Sequence, residues 1–212
     1  MLKLIEAQNH FNSISTLSFG KLFSDASLHK IRLDKGGAGK LLENLLGLEN
    51  TNSNIDFDDG ELKSYKCKPN GEPRETIAIT QILTHIDDLV VGMPFESTWL
   101  YEKIKNVLYI PICKDSQSSC DWFFCNSITI NLEDEKYKNL HQELKKDYEY
   151  ICAEIKKLCE EKKQLSTING KYLQIRRKNN GTIFSKIYNH NLTNGKNYAF
   201  YFKTDFMKEY CK

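Results

Sequence analysis

No stretch of the 212 residues approaches the roughly 18 consecutive apolar residues of a membrane span. The opening MLKLIEAQNHFNS also lacks the apolar run and small-residue cleavage site of a secretory signal, so a cytoplasmic protein without a membrane partner is expected. Cysteines are odd in number, at 67, 113, 120, 125, 152, 159 and 211, and no Cys-x-x-Cys pair is among them. That pattern argues against both a disulfide framework and a zinc ribbon, and reduced structural thiols are expected rather than a metal site at Cys120 and Cys125. Internal repeats and low-complexity linkers are missing too. A chain of 24.7 kDa with 40% hydrophobic residues can then bury one sizeable core, and a single domain over 1–212 is expected.

The net charge of +2 conceals an uneven distribution. Residues 162–212 hold 11 Lys and Arg against 2 Asp and Glu, whereas residues 1–161 hold 19 against 26. The sequence therefore divides into an N-terminal helical and catalytic part, 1–161, and a basic C-terminal part, 162–212. Clustered cations of this kind are the electrostatic footprint of phosphate contact, although a solvated surface face shows the same composition.

Hydrophobic periodicity supplies the local structure. Ile14, Leu17, Leu22 and Phe23 fall at helical spacing in a region of short helices. Leu41, Leu42, Leu45 and Leu46 form one helix face after a glycine cluster, with Gly47 as the stop and Glu43 outside the stripe. ELKSYKC and TIAITQI read as strands, and VLYIPI as a buried strand bounded by Pro111. From Lys136 to Lys163 apolar residues recur every three or four positions, which predicts a long amphipathic helix. KYLQIRRK and YAFYFK are strand-like runs between Asn/Gly turns. The fold class is mixed α/β.

One constellation carries chemistry. Glu61 and Lys63 are two apart, so on a strand they emerge on one face while Leu62 points to the other, into the core. Asp56 lies upstream across Gly60, which is expected to let the chain turn back as a hairpin, with IDF as a strand entering the core. Two carboxylates suit Mg²⁺, which binds through a few oxygen ligands and substrate phosphates. Phosphodiester hydrolysis needs such a group because it acidifies the attacking water and neutralises the phosphorane, while a lysine balances charge. The spacing alone fits a solvated strand face equally well. GGAGK imitates a nucleotide-binding loop, but Asp34 stands where the first glycine is required and Leu41 where a Ser or Thr is required.

The ordered runs DKGGAGKLLENLLGL, IDFDDGELKS, TWLYEKIKNVLYIPI, GKYLQIRRK and YAFYFKTDF resemble the landmarks of the MutH family, covering residues 30–206. That family contains a mismatch-repair strand nickase and type II restriction enzymes that cut at GATC. The resemblance implies a restriction-endonuclease-like, PD-(D/E)XK fold, a mixed central sheet flanked by helices. It implies Asp56, Glu61 and Lys63 as the catalytic triplet, Glu43 as a further acid and Lys103 as a further lysine, with Mg²⁺ held by Asp56, Glu61 and Glu43. It also implies double-stranded DNA as partner, read by Arg176, Arg177, Lys178, Tyr201 and Lys203.

Three departures from the family stand out. The interval between Asp56 and Glu61 is two residues short, which leaves Asp58 and Asp59 as alternative ligands. PRETIAIT carries Ile77 and Ala78 where an aromatic is expected, and the Arg-Pro-Lys of the recognition loop reads Arg176-Arg177-Lys178. The leading expectation is a methylation-sensitive type II restriction endonuclease, paired with a DNA methyltransferase. Its alternatives are a mismatch-repair nickase dependent on a partner protein and a non-catalytic DNA-binding module.

Overall fold

The computed structural model describes residues 2–34, 36–48 and 55–212, and these form two compact units, each assembled from separated stretches of chain. The first comprises Met1–Glu75, Lys105–Asn131 and Met207–Lys212; the second comprises Thr76–Ile104 and Leu132–Phe206. The second unit takes in residues on both sides of position 161, where charge alone divides the sequence. Helices and strands are numbered along the chain.

The first unit opens with four short helices, α1 (Leu4–Asn12), α2 (Phe19–Leu22), α3 (Asp25–Leu33) and α4 (Gly37–Leu45). The Ser24 hydroxyl caps α3 by accepting from the Ser27 amide. Gly47, at φ +69°, terminates the α4 region as its position predicts, because a left-handed residue there costs glycine little. Strand β1 (Glu61–Cys67) runs parallel to β3 (Asn106–Cys113), with Glu61 opposite Val107 and Cys67 opposite Cys113. The short strands β4 (Phe123–Phe124) and β5 (Ile128–Asn131) pair antiparallel with β3, so the sheet is mixed. Leu62 packs inward with Leu4, Phe11, Leu42, Leu108 and Ile110, and each such side chain contributes about 1.5–3 kcal/mol of burial.

Pro111 does not bound β3 but lies inside it, opposite Tyr65 of β1. Its carbonyl faces away from β1 and accepts from the Cys125 amide at 2.9 Å. On that side β5 covers β3 up to Tyr109 and β4 resumes at Ile112, so the proline falls where two short strands leave a gap in the ladder.

The second unit is built on an antiparallel sheet in the order β2 (Ile77–Gln81), β10 (Asn197–Phe202), β7 (Leu173–Asn179), β6 (Ile168–Asn169). Its central strand β10 is buried along its whole length, which is why YAFYF is a continuous apolar run rather than an alternating one. Helices α5 (Ile86–Val91), α6 (Trp99–Ile104) and α7 (Lys138–Glu160) and the ribbon β8 (Phe184–Ser185) with β9 (His190–Asn191) complete the unit. On α7, Leu140, Leu144, Tyr148, Ile151 and Ile155 are buried, as the periodicity predicts. The expected mixed α/β architecture, with a mixed sheet flanked by helices, is therefore present. Among the described residues no helix is long and apolar enough to cross a membrane.

Candidate active site

Residues 55–59 form a bend rather than the strand arm of a hairpin. The Phe57 amide donates to the Gly60 carbonyl at 2.9 Å, and the chain enters β1 directly afterwards. Gly60 is required by a close approach, not by its dihedral angles. A Cβ there would stand 2.6 Å from the Asn106 carbonyl oxygen and 2.7 Å from Leu4 Cδ1. The bend therefore lies tightly against the start of β3 and against α1, which fixes where Asp56 and Glu61 stand.

The three aspartates of the bend have separate fates. Asp56 is half-buried, and its Oδ2 accepts from the Leu62 amide at 2.9 Å, which ties the carboxylate to the first turn of the strand. Asp58 and Asp59 are exposed. Asp59 Oδ1 accepts from the Leu4 amide at 2.8 Å, serving one of the orphan donors at the start of α1. Its carbonyl accepts from Asn106 Nδ2 at 2.7 Å.

On β1 the Lys63 ammonium donates to Glu61 Oε1, as residues two apart on a strand permit. The side chains are 16% and 3% exposed, so the pair is largely withdrawn from solvent. Glu43 comes to the same place from α4. Burial pushes its carboxyl above the ordinary value and the charge of Asp56 adds to this, while Lys40 and Lys63 pull it back and Glu61 opposes them. Glu43, Asp56, Glu61 and Lys63 thus share one electrostatic neighbourhood in the first unit, with Lys40 acting on Glu43 as a second cation.

The remaining residues singled out in the sequence belong to the second unit. Lys103 is half-buried on α6. On β7 the Arg176 guanidinium lies 4.1 Å from the centroid of the Tyr201 ring, and Tyr201 itself is buried. Arg177 and Lys178 follow, exposed, at the end of the strand. The Lys203 ammonium donates to the Gly170 carbonyl at 2.7 Å, so it is already engaged in holding the turn before β7.

Asp147 escaped the sequence reading. It is buried on α7, and its carboxylate accepts from the amides of Lys171, Tyr172 and Leu173 at 2.6, 2.6 and 2.8 Å. A Cβ at Gly170 would stand 2.4 Å from this carboxylate, so the glycine lets the turn close onto it. The available signal was an acid in the apolar stripe of an amphipathic helix, between Leu144 and Ile151. Asp147 sets the start of β7 and with it the approach to Arg176, Arg177 and Lys178.

Among the described residues no three His, Cys, Asp or Glu side chains are arranged as a closed metal-holding group. The donor chemistry nevertheless fits a hard divalent cation. Every donor is a carboxylate oxygen, and Mg²⁺ typically takes only one or two carboxylates and completes its shell with water and phosphate. All seven cysteines are free thiols, as expected.

The family model described as the DNA mismatch repair enzyme MutH matches residues 47–146, a span that contains Asp56, Glu61, Lys63 and Lys103. No curated protein matches the chain. The restriction-endonuclease-like architecture, the acidic cluster at the head of β1 and this match agree, and over residues 47–146 the chain is similar to the MutH family.

Proposed function

We propose that the chain is a type II restriction endonuclease that hydrolyses duplex DNA in the presence of Mg²⁺ at a short site, GATC, in a methylation-sensitive way, alongside a DNA methyltransferase. The observation that carries the nuclease reading is the Glu61–Lys63 pair at the head of β1, with Asp56 bonded to the Leu62 amide and the charges of all three acting on Glu43. Asp56 and Glu61 would hold the metal, with Glu43 beside them. A divalent cation bound there supplies neutralisation of the scissile phosphate and a more acidic attacking water.

The protein's own groups do the rest. The amide of Leu62 orients the Asp56 carboxylate, and the Lys63 ammonium, held by Glu61, would balance charge developing on the phosphorane. Glu43, its carboxyl pushed above the ordinary value by burial, would stand beside the metal ligands. Arg176, Arg177 and Lys178, with Tyr201 and Lys203 behind them, would engage the DNA, and Lys103 would join the active centre as the resemblance implies.

A mismatch-repair nickase dependent on a partner protein is the second reading, and the description of the matching family model favours it. Incubation of the purified protein with unmethylated and adenine-methylated plasmid in Mg²⁺ separates the readings. Discrete fragments from unmethylated plasmid support the restriction enzyme, and nicked circles that increase with a partner protein support the nickase. Binding without any cut identifies a non-catalytic DNA-binding module.

A further inference from the structure

The first unit contains a thiol pair that DNA cleavage does not use. Cys67 closes β1, and its Sγ lies 3.5 Å from Sγ of Cys125, just beyond β4. Cys67 is fully buried, whereas Cys125 is partly exposed and lines a cavity of about 390 Å³ together with Gly71, Pro111, Asn126 and Lys212. Cys125 is thus open to a small solute through the cavity, whereas Cys67 is buried and does not line it. A third thiol, Cys113, stands opposite Cys67 in the β1–β3 register and is buried, while Cys120 is exposed elsewhere in the unit.

From this geometry we infer that Cys125 is a site of oxidative modification by small hydroperoxides, with Cys67 as the resolving thiol. The Cys125 thiolate attacks the terminal oxygen of the hydroperoxide and the O–O bond breaks. Cys125 becomes a sulfenic acid, and the peroxide leaves as the alcohol, or as water from hydrogen peroxide, after taking up a proton. The Cys67 sulfur then attacks Cys125 Sγ, the S–OH bond breaks, and water leaves with the Cys67 proton, completing a two-electron oxidation of the pair to a disulfide. The hydrogen bond from Cys67 pulls the Cys125 thiol below its ordinary value, and the same interaction, with burial, pushes Cys67 up. The more exposed partner is the better thiolate for the first step, and in the second the Cys67 thiol gives up its proton as it attacks, the proton leaving in the water released. The inference does not depend on the nuclease reading.

The experiment is peptide mapping of the full-length protein after brief exposure to stoichiometric hydrogen peroxide, with free thiols then blocked under non-reducing conditions. The expected result is a loss of two hydrogens from the intact mass and a Cys67–Cys125 linked peptide. In Cys67→Ser the sulfenic acid has no resolving partner, so Cys125 is expected to accumulate a dimedone adduct. Because serine at a buried position can disturb the fold, the wild-type map decides the linkage by itself, and Cys120→Ser removes the competing exposed thiol. Oxygen uptake confined to Cys120, a bridge from Cys125 to any cysteine other than Cys67, or a wild-type mass unchanged by peroxide each overturns the assignment.

Discussion

The carboxylate of Asp56 accepts the Leu62 amide at 2.9 Å, whereas that of Asp59 accepts the Leu4 amide at 2.8 Å. A main-chain-to-side-chain bond of this kind holds the Asp56 carboxylate against the start of β1 without the help of a second strand. We expect Asp56→Ala to abolish cleavage and Asp58→Ala to leave it near the wild-type rate. Asp59→Ala removes an acceptor at the start of α1 and is expected to cost about 1 kcal/mol of stability with modest loss of activity. Plasmid cleavage and thermal melts on the three variants check this, and a dead Asp58→Ala with an active Asp56→Ala reverses the assignment.

The Glu61–Lys63 pair is largely sheltered from solvent, so its two members are expected to differ in what their removal does. Glu61→Gln keeps the shape and still accepts from Lys63, so cleavage should fall by about 10²–10³ or more while the fold is retained. Lys63→Ala should be equally inactive and additionally destabilised, on the order of 3 kcal/mol, because it takes the ammonium from a nearly buried carboxylate. DNA binding should persist in both, since the residues proposed to contact the phosphate backbone are others. Loss of binding parallel to loss of cleavage would sink this reading.

Gly60→Ala tests the seating of the site rather than its chemistry. The added methyl would meet a backbone carbonyl at 2.6 Å, which cannot yield as a flexible side chain would. We expect a destabilisation of about 1–3 kcal/mol and a drop in activity with the carboxylates untouched. A variant with wild-type melting temperature and activity would show that the bend has room to move.

This site also marks the limit of what the sequence made legible. Glu61, Leu62 and Lys63 follow from strand alternation, and α7 from its period, because both patterns are local and repeat along the element. The Asp56 bend does not repeat anything. Its geometry comes from contacts with Asn106 and Leu4, far away in the chain, so the sequence suggested a hairpin where the structure has a bend. Pro111 misled for the same reason: whether a proline ends a strand depends on what pairs with it from elsewhere. Asp147 was hidden because its partners are three backbone amides, which no side-chain pattern announces.

Asp147→Asn is expected to be among the most destabilising conservative changes. The amide can present only one oxygen, and its NH₂ would face N–H donors that the carboxylate now satisfies. Leaving buried donors unmet costs about 1–3 kcal/mol each, so a loss of about 2–5 kcal/mol is expected. Hydrogen exchange at the amides of Lys171, Tyr172 and Leu173 should accelerate before that of the α7 interior. Unchanged protection there would mean the carboxylate is not what holds the turn.

The final prediction concerns how DNA is read. Arg176 and Lys178 are both cationic on β7, but their settings differ: the Arg176 guanidinium rests on the Tyr201 ring, whereas Lys178 is exposed near the strand end. A guanidinium held over an aromatic face has less freedom to lose on binding, and its planar donors suit the O6 and N7 of guanine. Lys178 is better suited to a phosphate, which any sequence offers. We therefore expect Arg176→Ala to relax specificity, with discrimination at one base pair falling by about 1–3 kcal/mol. Lys178→Ala should weaken all sequences by one common factor and lower the salt dependence by about one ion. Binding measured on the proposed site and on each of its single-base variants, at two salt concentrations, distinguishes the two behaviours. If Arg176→Ala also weakens every sequence equally, this strand positions the protein without reading the bases, and Tyr201→Phe and Lys203→Ala become the next variants to measure.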